Sequence, residues 1–201
     1  MELLEAKIGR PTYPDENDTS LEGLSKQVSS RLVAEGCNDK AAIVAAALGD
    51  LPYDRHTWKK LVIPAYGTKA GNAWHEMCTV RMHGHFKDCV RECNCPKNKK
   101  CEHSHVKGCN KPACLLHRIR EKAPYISGPA RVALLAWFAV LSERVSGDHA
   151  PEHWNRQEKA DYLYHVSSVT KAIADKGSKV KLTPIIHKFA DKIDNCHKKF
   201  V

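Results

Sequence analysis

Ser127-GPARVALLAWFAVLSERVS-Gly147 (residues 127–147) is the most apolar stretch of the chain. Pro129 suits the first turn of a helix, where a backbone N–H would have no intrahelical acceptor. Val132, Leu134, Leu135, Trp137, Phe138, Val140 and Leu141 then cover nearly every side of the helical wheel. A helix apolar all round must be enclosed, so the stretch is expected to be the central helix of the core. A stripe this wide also suits an oligomer interface, which makes a homo-oligomer the second expectation. The run Ala130 to Leu141 is shorter than the roughly 18 apolar residues of a membrane span, and Arg131 and Arg144 flank it. No membrane partner is expected.

Working outward, the loop Gly147-Asp-His-Ala-Pro151 precedes a long helix from about Glu152 to Lys176, with Tyr162, Val166, Val169 and Ile173 as its inner row and Gly177 as its stop. Thr183 and Pro184 start a final helix, with Ile185, Ile186, Phe189 and Ile193 inside and Lys188, Lys192, Lys198 and Lys199 outside. On the amino-terminal side, residues 1–18 hold Gly9, Pro11, Pro14 and a run of acids, the pattern of a flexible arm. Thr19 and Glu22 form a capping box ahead of Leu21, Leu24, Val28 and Leu32, a helix stopped by Gly36. Asn38 or Asp39 caps the alanine-rich run Ala41 to Leu48, which Gly49 ends. Asp54 starts a helix through Trp58, Leu61 and Val62 that Pro64 and Gly67 close, and Gly71-Asn72 opens another through Trp74, Met77 and Met82. Ala45-x3-Gly49 faintly resembles the corner of a helix-turn-helix, but Pro52-Tyr53 lengthens the connection, so an ordinary helix corner is expected.

The expected fold is therefore all-α, a helical domain carrying an irregular Cys/His-rich insertion. Its parts are the arm (1–18), an amino-terminal helical region (19–85), the Cys/His module (86–122) and a carboxy-terminal helical region (123–201). The length of 201 residues suits one ordinary domain or two small ones. The net charge of +9 is uneven: residues 1–50 carry five Lys/Arg against nine Asp/Glu, and the remainder carries 27 against 14. That surplus attracts phosphate or keeps a solvated surface soluble. The acidic start Met1-Glu2 lacks the basic end of a signal peptide, so an intracellular protein of cytoplasm or nucleus is expected.

The module concentrates six of the nine cysteines, Cys89, Cys93, Cys95, Cys101, Cys109 and Cys114, with His103, His105 and His117 among them. A core does not need such a density, whereas a thiolate and imidazole cage for zinc does. Cys89-x5-Cys95-x5-Cys101-x3-His105 resembles a Cys-Cys-Cys-His zinc finger over residues 89–105 alone. That resemblance implies a small zinc-folded loop that binds single-stranded RNA, bases stacking on aromatic side chains. A related finger occurs in transcription factors of pneumoviruses and filoviruses, inside helical proteins of similar size. The chain departs from the pattern in having no Phe, Tyr or Trp between Cys89 and His117, which leaves the stacking platform in doubt. Cys109-x4-Cys114-x2-His117 with Cys93 would make a second cage, giving about two zinc ions. His103 is an alternative to His105, and the partition of ligands between the two ions stays open. Upstream, His75 and Cys78 lie one helical turn apart and His83 and His85 follow; Cys78 and His85 are reserve ligands, His75 and His83 surface imidazoles.

With thiolates enough to close both cages, the zinc is expected to be structural. It would hold Arg91, Lys97, Lys99, Lys100, Lys107, Lys111 and Arg118 on a rigid surface for RNA or DNA phosphates, with Lys188, Lys192, Lys198 and Lys199 as a second basic face. The expectation is a nonenzymatic nucleic-acid-binding regulator of transcription or RNA handling. The competing class is an adaptor whose zinc module docks a protein partner. A nuclease of His-Asn-His type is the minor alternative, resting on Asp148-His149-x-Pro151 and Asn195-Cys196-His197-x-Lys199, fragments too far apart for that compact motif.

Overall fold

The computed structural model describes residues 21–49, 51, 54–81, 125–147, 155–174 and 183–200. The described residues are helical throughout their regular structure, with no strand among them. Helix α1 is Leu21–Ala34, α2 Lys40–Ala47, α3 Ile63–Tyr66, α4 Thr68–Arg81, α5 Gly128–Ser146, α6 Arg156–Ala174 and α7 Thr183–Lys198, with a π-helical turn at Thr57–Val62 running into α3.

Helix α5 is the axis of the fold. It packs against α1, α2, α4, α6 and α7, and every residue from Ala130 to Ser142 is buried, Arg131 and Ser142 included. Its all-round apolar surface is thus spent inside one chain, which removes the ground for reading it as an oligomer interface. On one side α6 and α7 form an antiparallel pair whose inner rows, Tyr162, Val166, Val169 and Ile173 against Ile186, Phe189 and Ile193, are buried as their spacing predicts. On the other, α1, α2 and α4 contribute Val28, Leu32, Ala41, Ala42, Ala45, Ala46, Trp74 and Met77 to the same core.

Local chemistry explains the boundaries. Asp39 caps α2, its Oδ1 accepting from the backbone N–H groups of Ala41 at 2.9 Å and Ala42 at 3.2 Å, and Gly36 after α1 takes φ +86°, where a side chain would be strained. The carbonyls at the end of α2 are met by two indoles from flanking helices. Trp137 Nε1 donates to Ala46 O at 3.0 Å and Trp74 Nε1 to Leu48 O at 2.8 Å. Alanine keeps α2 slim enough for both rings to approach. The corner at Gly49 receives the Trp137 ring.

Three sequence expectations need correction. Pro64 does not close the segment: it lies near the start of α3, in helical backbone continuous with the π-helical turn, and Gly67 at φ +86° makes the break. Helix α4 begins at Thr68 rather than at Gly71, and Gly71 instead lies beneath Ile63, whose Cγ1 would be 2.5 Å from a β-carbon there. The turn before α3 is π-helical, with Ile63 N–H bonding to Trp58 O five residues back, where an ordinary helix was expected. Residues 1–20, which include the arm and Thr19, lie outside the described residues, as does the loop 148–154.

Candidate nucleic-acid interface

Helix α4 ends at Arg81 and the chain is described again from Tyr125. The two sides of the intervening segment are joined at its root: the carboxylate of Glu76, five residues before the end of α4, accepts from the Ser127 N–H at 2.8 Å. The chain therefore departs from and returns to one point on the helical body, between two helices that pack against each other. The expected metal ligands Cys89, Cys93, Cys95, Cys101, His105, Cys109, Cys114 and His117 all fall in that segment, outside the described residues. So do Arg91, Lys97, Lys99, Lys100, Lys107, Lys111 and Arg118, and the reserve ligand His85. By composition residues 86–122 hold ten Lys/Arg against four Asp/Glu.

Among the described residues no group of three or more His, Cys, Asp or Glu side chains could hold a metal ion. Cys78 faces inward from α4 and is part of the core. His75 is half-buried and stacks on Trp58, ring centroids 4.0 Å apart and planes 14° from parallel. Burial pushes the His75 imidazolium below the usual histidine range, against the opposing pull of Glu76. Cys37 and Cys196 are likewise buried. Asn195, Cys196 and His197 lie on consecutive positions of α7, with His197 edge-on to Tyr164 at 5.3 Å, a continuous helix where a His-Asn-His nuclease would need a hairpin.

The lysines of α7 are engaged within the chain. Glu35, at the end of α1, binds Lys192 directly, lies 3.7 Å from Lys188 and is 3.7 Å from Arg31, which also reaches Glu143 at 2.9 Å. The hydrogen bond from Lys192, opposed by partial desolvation and reinforced by the charges of Lys192, Lys188 and Arg31, holds the Glu35 carboxyl below its ordinary range. Lys198 pairs with Asp194 at 2.8 Å, and Lys171 reaches the same carboxylate at 3.5 Å. Lys192 is half-buried rather than outside, and among the described residues three of the four lysines expected to form a second basic face, Lys188, Lys192 and Lys198, have an acidic partner.

A different set of cations was missed. Arg55, Lys59 and Lys60, on the first helical turn and the π-turn, are exposed and form no ion pair with a described residue, although Lys59 Nζ sits 5.7 Å from the centre of the Trp58 ring. Their spacing, four residues and then one, was visible in the sequence; their freedom from carboxylates was not. Among the described residues no helix is long and apolar enough to cross a membrane. Comparison with protein-family models, curated proteins and solved structures finds no match to this chain.

Proposed function

We propose that the chain is a nonenzymatic, zinc-dependent nucleic-acid-binding protein, acting on transcription or RNA handling, with its Cys/His module as the phosphate-contacting part. The observation that carries this reading is the coincidence, in one segment, of a ligand set sufficient for two ions and a surplus of cations. Six thiolates and two imidazoles divide into two Cys3His cages, the closed donor set of structural zinc. A segment so polar gains its folding free energy from the metal rather than from a core. The hydrogen bond between Glu76 and Ser127 supports the insertion reading, because it fixes both roots of the module to one site on the helical body. The pairing of Lys188, Lys192 and Lys198 with Glu35 and Asp194 favours the module over α7 as the principal phosphate surface.

The test is a metal count by native against denaturing mass spectrometry, followed by titration of the zinc-loaded chain with single- and double-stranded oligonucleotides at several salt concentrations. About two zinc ions and an affinity that falls steeply with salt are expected. Changing Lys97, Lys99 and Lys100 together to Ala should weaken binding and flatten the salt dependence by at most about three phosphate equivalents. Metal without salt-sensitive binding would instead assign the module to docking a protein partner.

A further inference from the structure

Glu35 lies one residue past the end of α1, and three cations share its carboxylate. Lys192 bonds Oε1 directly, whereas Arg31 Nε stays 3.7 Å from Oε1 and Lys188 Nζ 3.7 Å from Oε2. At that distance neither contact is a hydrogen bond. Arg31 Nε is shielded from solvent and bonds to no described residue, so the carboxylate leaves a buried donor unmet. Two of the three cations are also held by something other than Glu35. Arg31 Nη2 donates to Glu143 Oε1 at 2.9 Å, and Lys192 Nζ sits 5.7 Å from the centre of the Phe189 ring, itself fully buried. Both keep an anchor when the Glu35 side chain swings out. Along α7, Lys188, Lys192, Asn195 and, just past the helix end, Lys199 follow at i, i+4, i+7 and i+11, a single row about 16 Å long at the rise of a helix.

We propose that Arg31, Lys188 and Lys192 form a phosphate-binding site in which Glu35 is an intramolecular competitor, so that α7 takes up a nucleic-acid backbone as the Glu35 side chain gives way. A phosphate offers its acceptor oxygens on a tetrahedral centre, and can meet Lys188 Nζ and Arg31 Nε as well as Lys192, where the flat carboxylate meets only one of the three. A partly solvated ion pair is a weak competitor, so the exchange is reversible. The row that continues to Lys199 suits a ligand of repeated charge better than a single phosphorylated side chain. The contact carries no base preference, since all its partners are cations. The choice of ligand rests on the proposed nucleic-acid binding, whereas the site itself is made by α1 and α7 alone.

It is tested on the full chain by fluorescence anisotropy with a labelled single-stranded 30-mer and, separately, a labelled phosphoserine peptide, each variant being checked for helical circular dichroism. Glu35→Gln should tighten binding of the 30-mer about threefold near 0.1 M salt. Lys188→Ala/Lys192→Ala should weaken it and flatten the slope of log K against log salt by at most about 2, and should abolish the gain when combined with Glu35→Gln. Asp39→Asn removes the same charge from the carboxylate that pairs with Lys69, and should tighten binding less. Equal gains from Glu35→Gln and Asp39→Asn, a gain that survives loss of both lysines, or an unchanged affinity and slope in the double-lysine variant each overturn the site and leave the proposed function standing. Binding of the peptide but not of the 30-mer, with the same response to Glu35→Gln, supports the site and overturns both its nucleic-acid ligand and the proposed function. A chain that binds neither probe, with or without Glu35→Gln, overturns all three.

Discussion

Gly49 is the gap that the Trp137 indole fills: a β-carbon at position 49 would lie 2.3 Å from the ring's Cε2 and Nε1. The same indole nitrogen donates to Ala46 O, so the ring cannot slide away without losing its partner at the end of α2. Gly49→Ala should therefore destabilise the chain by about 1–3 kcal/mol through overpacking. Urea unfolding followed by circular dichroism measures it, and a midpoint equal to the wild type's would mean that the corner yields freely.

The Glu35 cluster makes an acid-sensitive tie between α1 and α7. Because the folded carboxyl titrates below its ordinary value of 4.5, its contribution is fully present above that pH and disappears as pH falls through the lower folded value. The groups are partly solvated, so roughly 0.5–1 kcal/mol is expected at neutral pH. Glu35→Gln should lose that much at pH 7, and its deficit should narrow as pH falls below 4.5. A gap between the two proteins that is as wide at pH 3 as at pH 7 would reject the ionic account.

Much of the helical body was legible because its signals are local. The all-apolar run around Trp137, the Asp39 cap and the Gly36 stop each depend on a few adjacent residues, and each has its expected place. The π-turn was not legible, since one shifted hydrogen bond over six residues leaves no periodicity to read. Pro64 was misread because proline marks both the end of one helix and the first turn of the next. The engagement of Lys192 by Glu35, 157 positions away, is a tertiary fact that no window on α7 contains. For the proposed metal site the reverse holds: the candidate ligand types and their spacing are explicit in residues 89–117, which lie outside the described residues.

Asp39 performs two tasks that can be separated. Its Oδ1 caps α2 and its Oδ2 binds Lys69. Burial works to raise its carboxyl, but the Lys69 ammonium and the N–H groups of Ala42 and Ala41 outweigh it and hold it below the usual aspartate range. Asp39→Asn keeps an N-cap oxygen and loses only the ion pair, so a loss of a few tenths of a kcal/mol is expected. Asp39→Ala removes both and should cost about 1 kcal/mol more. Equal losses in denaturant melts of the two variants would show that the cap contributes nothing.

The strongest separation of structural from catalytic zinc comes from Cys101. Under the proposed function, three thiolates and one imidazole around each ion would leave no open coordination position for water, so Cys101→Ser should remove metal and local order rather than slow a reaction. Helices α1, α2, α4, α5, α6 and α7 bury their apolar rows against one another, and that packing does not depend on a thiolate at position 101. The variant should therefore keep most of its helical circular dichroism while zinc content falls and amide exchange accelerates only between about Cys89 and His117. The Ser127 amide, held by Glu76 at the root, should stay protected and mark where the loss of order stops. Zinc retained with the segment still protected would show that Cys101 is not a ligand and that the finger resemblance misassigns it. Collapse of the whole helical signal would make the metal module the keystone of the core rather than an insertion rooted at Glu76 and Ser127.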